Sequence, residues 1–186
     1  MDAEEALTEV VDALNELRIP HMVVGAFSSN YHGIGRSTKD ADIVVSIEGR
    51  SIRELAERLK SNFQLDPQAR FETITGTHKH VFQRRDTPFE VEVFLLSKDE
   101  HDQERFSRRQ HVEFLGRMSY LPTADDVVIM KLRWSKGRGG GKDRDDVRGV
   151  IAVSGDRIDW DYVYSWCDRH GTRELLDEIR RSIPAE

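Results

Sequence analysis

Four acids stand as alternating pairs beside apolar runs: Asp40 and Asp42 in "RSTKDADIVVS", Glu90 and Glu92 in "FEVEVFLL". Ile, Val and Phe in succession suit a covered strand, where a lone carboxylate is least stable. Strand side chains alternate, so Asp40, Asp42, Val44 and Ser46 share one face, opposite Ala41, Ile43, Val45 and Ile47. The same rule sets Glu90, Glu92, Phe94 and Leu96 against Phe89, Val91, Val93 and Leu95. If the two strands are neighbours with these faces aligned, three or four carboxylates converge. Such a cluster repels itself unless cations fill it, and Mg²⁺ suits carboxylates that leave room for water and phosphate oxygens. Taken singly, Asp40 reads equally as a turn cap, Asp42 as half of an ion pair, and Glu90 as the solvated face of an edge strand.

The segment before the first pair carries features of a phosphate site. Gly25 closes the short strand "HMVVG", and the helix expected from about Phe27 to His32 would offer free N–H groups to an anion, with Ser28 and Ser29 at its start. The net charge of −6 draws in no polyanion as a whole, so attraction must be local. Between Lys131 and Arg148 seven basic residues (Lys131, Arg133, Lys136, Arg138, Lys142, Arg144, Arg148) face three acids (Asp143, Asp145, Asp146). Lys131 lies on a predicted helix, where an exposed lysine is the common case, and Asp143 after its glycines reads as an N-cap. Three motifs are excluded. "GRGGGKD" puts Asp143 where a P-loop needs Ser or Thr, "GIG" lacks the third glycine of a dinucleotide fingerprint, and His78 and His80 have no further His or Cys at metal-ligand spacing.

These groups must be held by a frame. Ala6, Leu7, Val10, Val11, Leu14 and Leu17 recur at helical spacing and Pro20 marks the exit. After the acid-bearing strand, Ile52, Leu55, Ala56 and Leu59 form an amphipathic helix. "KHVFQRR" and "FEVEVFLL" flank "DTP", turn chemistry that favours an antiparallel hairpin. From Pro122 the pattern is helical: 127–134, 146–153, 162–166 and 175–183. The expected architecture is α/β (α+β), with a small mixed-sheet core over 1–121 flanked by helices and a C-terminal helical part over 122–186 packed on it. With 186 residues and 38% hydrophobic content the chain can bury a core. One cysteine permits no internal disulfide, no apolar run reaches membrane-span length, and the acidic start is not a signal peptide; a soluble cytoplasmic protein is expected.

"VVGAFSSNYHGIGRSTKDADIVV" resembles the signature of the nucleotidyltransferase superfamily that includes DNA polymerase beta: an apolar strand, Gly with Gly or Ser, a spacer, then Asp-x-Asp. It is most similar to the small prokaryotic branch of the AbiEii-type toxin nucleotidyltransferases, whose Arg-x-Thr-x-Asp-x-Asp matches Arg36, Thr38, Asp40 and Asp42. "FEVEVF" resembles that branch's third-acid strand, with Glu92 at the third position. "KLRWSKGRGGGKDRDDVRGV" resembles its late motif, matching Lys131, Lys142, Asp143 and Asp146.

The resemblance implies transfer of a nucleoside monophosphate from an NTP to an acceptor: tRNA, a protein or a small molecule. Asp40, Asp42 and Glu92 would hold two Mg²⁺ ions, with Mn²⁺ as a substitute, and act as the catalytic acids. Gly25, Ser28, Ser29, Arg36, Thr38, Lys131 and Lys142 would bind the nucleotide, with Asp143 and Asp146 supporting. Ala26 stands where a second Gly or Ser is usual, and Glu92 where Asp is commoner. The alternative is therefore a catalytically weak nucleotide-binding module of the same fold, or one half of a toxin–antitoxin pair.

Overall fold

The computed structural model describes residues 3–138 and 140–184, and of Arg138 the backbone only. The chain forms two compact units: 1–24 with 37–121, and 25–36 with 122–186. The first unit ends at Leu121, and 25–36 groups with the C-terminal helices. No helix among the described residues is long and apolar enough to cross a membrane.

The first unit opens with α1 (Ala3–Glu16), whose Ala6, Leu7, Val10 and Leu14 are fully buried along one stripe. β1 (His21–Val24) follows, then β2 (Asp40–Val45) and α3 (Ile52–Leu59). Ser51 starts α3 with a capping box, its side chain bonded to helix N–H groups while Glu54 reaches back. Such a cap stabilises a helix start by about 1 kcal/mol. β3 (Phe63–Leu65), β4 (Arg70–Glu72), β5 (Thr77–Arg84) and β6 (Glu90–Leu95) complete a sheet of order β1-β2-β6-β5-β3, with β4 beside β5. β2 and β6 are parallel; the other pairs are antiparallel, including the expected β5–β6 hairpin. Ala41, Ile43, Val45, Val91 and Val93 are at most 1% exposed, so the non-acidic face of β2 and β6 is core. α4 (Glu100–Ser107) and a separate hairpin, β7 (Gln110–Phe114) and β8 (Arg117–Leu121), end the unit.

The second unit takes α2 (Gly25–His32) from early in the chain and adds α5 (Ala124–Arg138), α6 (Gly141–Ser154), α7 (Trp160–His170) and α8 (Arg173–Arg181). Each predicted C-terminal helix is present with wider bounds, except that α8 stops before Ile183. α5 is buried almost all round through Val127, Val128, Ile129, Met130 and Leu132, and so lacks the polar face of a surface helix. α6, α7 and α8 close on it through Val147, Val150, Val163, Trp166, Leu176 and Ile179. α2 is tied in by His32, whose ring bonds the carbonyl of Pro122 at 2.8 Å and whose carbonyl accepts from Ser154 at 2.6 Å.

Candidate functional site

In the first unit β2 and β6 run in parallel with Asp40 opposite Glu90 and Asp42 opposite Glu92. Cross-strand partners share a face and lie about 4.8 Å apart, so the alignment posed conditionally by the alternating acids is the one the sheet adopts. Burial rises along β2: Asp40 is exposed, Asp42 half-buried, and Val44 on the same face only 2% exposed. The acids thus occupy the starts of two strands whose continuation is apolar, which reconciles buried-looking sequences with ionised groups. Thr38 Oγ1 donates to Asp40 Oδ1 at 2.8 Å. Antiparallel β5 sets Val81 opposite Glu92 and Lys79 opposite Phe94, on this same face. Lys79 Nζ donates to Glu92 Oε2 at 2.6 Å. Lys79 was not among the predicted site residues; its alternation with Val81 and Gln83 is the only sequence signal for it.

The donor set is hard oxygen and suits Mg²⁺. Asp40 and Asp42 carry carboxylates on one face two residues apart, and Glu92 stands beside Asp42. Among the described residues no three His, Cys, Asp or Glu side chains are already gathered around one point. The residues therefore fit a cation through the two aspartates, with Glu92 joining once its bond to Lys79 is broken.

The remaining candidates lie in the second unit. Gly25 opens α2 with φ of 65°, a conformation glycine adopts without penalty. Ser28 and Ser29 both donate to the Gly25 carbonyl at 3.0 Å and are buried, so their hydroxyls are engaged within the helix. Asn30 clamps the backbone of Arg36 from both sides, accepting from its N–H at 3.0 Å and donating to its carbonyl at 2.8 Å.

Arg36 then reaches Asp146 as a two-pronged pair, Nε to Oδ1 at 2.7 Å and a second nitrogen to Oδ2 at 3.0 Å. Lys131 is half-buried rather than exposed, with Nζ 2.8 Å from Asp146 Oδ2 and 3.0 Å from Asp143 Oδ1. Two cations and two carboxylates thus neutralise one another in a partly dry site. Burial opposes the charge on Lys131, but Asp146 and Asp143 outweigh it and hold its pKa above the ordinary lysine range. Burial likewise opposes ionisation of Asp146, and Arg36 and Lys131 overcome it, holding the carboxyl below its usual range.

Asp143 is not the N-cap: Gly140 is, without a side-chain bond, and Asp143 sits inside the first turn of α6. Much of the basic segment is similarly occupied. Arg148 pairs with Asp145 at 2.6 Å, and Lys136 donates to the carbonyls of His170 and Gly171. The side chain of Arg138 lies outside the described residues. Lys142 is exposed at the start of α6.

No protein-family model matches the chain, and no curated protein matches it. Solved structures do. An antigenic nucleotidyltransferase-like protein from Paracoccidioides brasiliensis superposes with a TM-score of 0.62 at 16% identity, covering 97% of this chain and 93% of that one. ANT(2″)-Ia, in complex with adenylyl-2″-tobramycin, gives 0.63 at 11% identity over 92% and 98%. The fold is that of the nucleotidyltransferases. A solution structure of ANT(2″)-Ia, described as an antibiotic-resistance factor, agrees at 0.63 and 11% identity over 96% of each chain. At these identities the likeness establishes the nucleotidyltransferase fold, and chemistry has to be argued from the residues of this chain.

Proposed function

We propose that this chain is a divalent-metal-dependent nucleotidyltransferase that moves a nucleoside monophosphate from an NTP to an acceptor and releases pyrophosphate. The observation that carries the reading is the register of β2 on β6, which sets Asp42 beside Glu92 with Asp40 on the same face, in a chain with a nucleotidyltransferase fold. Asp40 and Asp42 would hold Mg²⁺, with Mn²⁺ as a substitute, and Glu92 would complete the set. When bound, the ions polarise the phosphoryl oxygens and lower the pKa of the attacking group. Thr38 fixes the carboxylate of Asp40 by its hydroxyl. Glu92, the acid further along its strand, would then accept the acceptor's proton.

The resemblance assigns the nucleotide's phosphates to Lys142, an exposed cation, to the N–H groups that follow Gly25, and to Arg36 and Lys131, which would exchange Asp146 for phosphate. The acceptor is a hydroxyl or phosphate of tRNA, a protein or a small molecule. The small prokaryotic toxin-type branch remains the assignment that the Arg36-Thr38-Asp40-Asp42 spacing supports.

Incubation with labelled NTPs and Mg²⁺ or Mn²⁺, alone, with total tRNA and with aminoglycosides, tests the reading. Label should appear on an acceptor or on the protein and vanish in Asp42→Asn. The Lys79–Glu92 pair and Ala26 favour a second reading, a nucleotide-binding module or toxin–antitoxin partner of weak activity. NTP binding without transfer in every arm selects it.

A further inference from the structure

Lys79 has a position that the proposed chemistry leaves unexplained. On β5 its neighbours on the acidic face are Thr77, Val81 and Gln83, and on β6 it lies opposite Phe94, one alternation beyond Glu92. The side chain runs back along the sheet to put Nζ 2.6 Å from Glu92 Oε2 and 5.3 Å from the centroid of the Phe94 ring. A ring face beneath an ammonium and a carboxylate at its tip hold it at two points. The two side chains are only 13% and 17% exposed, so solvent screens the pair little. Arg70, across from Lys79 on β4, is paired with Asp66 at 3.2 Å instead. Lys79 is thus a cation that strand pairing brings to Glu92, in the row that also holds Asp40, Asp42 and Glu90.

We infer that Lys79 is a positioning residue that holds Glu92 in the metal-free protein and competes with a divalent cation for its carboxylate. The inference rests on the metal-site reading above and specifies how that site is poised. A cation entering between Asp42 and Glu92 meets the ammonium's like charge and finds one oxygen of Glu92 already committed. Binding must therefore break the Lys79–Glu92 bond, which lowers metal affinity and leaves an ammonium beside the filled site. A lysine that merely filled space would have no such antagonism with a metal.

Calorimetric titration with Mn²⁺, without nucleotide, measures this directly on the full chain. Lys79→Met keeps the apolar stem over Phe94 and removes the charge; it should bind Mn²⁺ roughly tenfold tighter than wild type or more. Lys79→Arg, which retains the charge, should bind no tighter than wild type. Melting curves in chelator and in excess Mn²⁺ add a second readout: Lys79→Met should gain more from Mn²⁺ than wild type does. Equal or weaker Mn²⁺ binding by Lys79→Met, with wild type binding and Asp42→Asn not, overturns the role of Lys79 and leaves the metal site standing. Absence of Mn²⁺ binding from wild type and Lys79→Met alike overturns both.

Discussion

Asp146 holds two cations on one carboxylate whose side chain is only 3% exposed, and its removal takes the two-pronged partner from Arg36 and leaves Lys131 with Asp143. Breaking a buried pair by deleting one partner typically costs about 3 to 5 kcal/mol, so Asp146→Ala should lower the urea midpoint by that equivalent. The same group sets a pH limb. Its folded pKa is depressed, so its contribution is complete above the ordinary carboxylate value near ~3.9 and is lost as pH falls through the lower folded value. Lys131 acts oppositely: its contribution is complete below about 10.4 and is lost as pH rises through its raised folded value. Urea titrations across acid pH should show Asp146→Asn with a flatter acid decline than wild type. Asp40 and Asp42 give the contrasting case. Two carboxylates about 6 Å apart repel by roughly 2 to 3 kcal/mol at an effective dielectric near 20. Mn²⁺ relieves that repulsion, so Asp42→Asn should lose most of the Mn²⁺-induced rise in melting temperature. A variant that melts far lower in chelator, beside a wild type indifferent to metal, would make Asp42 a structural ion-pair partner.

Where α2 gives way to the loop that bears Arg36, two glycines let backbones meet. A Cβ on Gly33 would lie 2.7 Å from the Val150 nitrogen and 2.8 Å from the Gly149 carbonyl carbon, both main-chain atoms of α6 that cannot swing aside. Gly33→Ala should therefore cost about 1 to 3 kcal/mol. At Gly149 the nearest contact is Ile34 N at 3.2 Å, and alanine gains about 1 kcal/mol of helix preference, so Gly149→Ala should sit near neutral; thermal melts of the two variants separate them. Elements with a strong period or a clear turn were legible beforehand. The stripe of α1, the "DTP" hairpin and the alternating acids of β2 and β6 each carry a local cause. α4 was not, because Phe106 is the single large apolar residue in "EHDQERFS". The β7–β8 hairpin also escaped: its strands are half-exposed, and its turn uses Leu115 at φ 52°, a residue rarely found there, before Gly116. At the site, the shared face of each acid pair followed from alternation, but the β2–β6 register and the choice of ion-pair partners did not. Arg36 meets Asp146 across 110 positions, and Lys79 meets Glu92 around a hairpin; both depend on folding that no local pattern encodes.

At the scale of the molecule, the chain leaves the sheet unit after Val24, contributes α2 and the Arg36 loop to the helical unit, and returns at Ser37. A fragment ending at Leu121 would retain the whole sheet yet strip α2 of α5 and α6, uncovering Ala26, Phe27, Ser28, Ser29 and His32. Expressed alone, residues 1–121 should aggregate or give a poorly dispersed amide spectrum, whereas a sharp, fully dispersed spectrum would show the first unit to be independent. The interleaving also has a meaning in time. His32 and the Pro122 carbonyl that receives it are 90 positions apart. At ~5 to 20 residues per second of synthesis, α2 leaves the ribosome roughly 5 to 18 s before its first partner exists. For that interval α2 lacks the α5 and α6 surfaces it packs on, so the second unit is the last part of the nascent protein to become safe from misassociation.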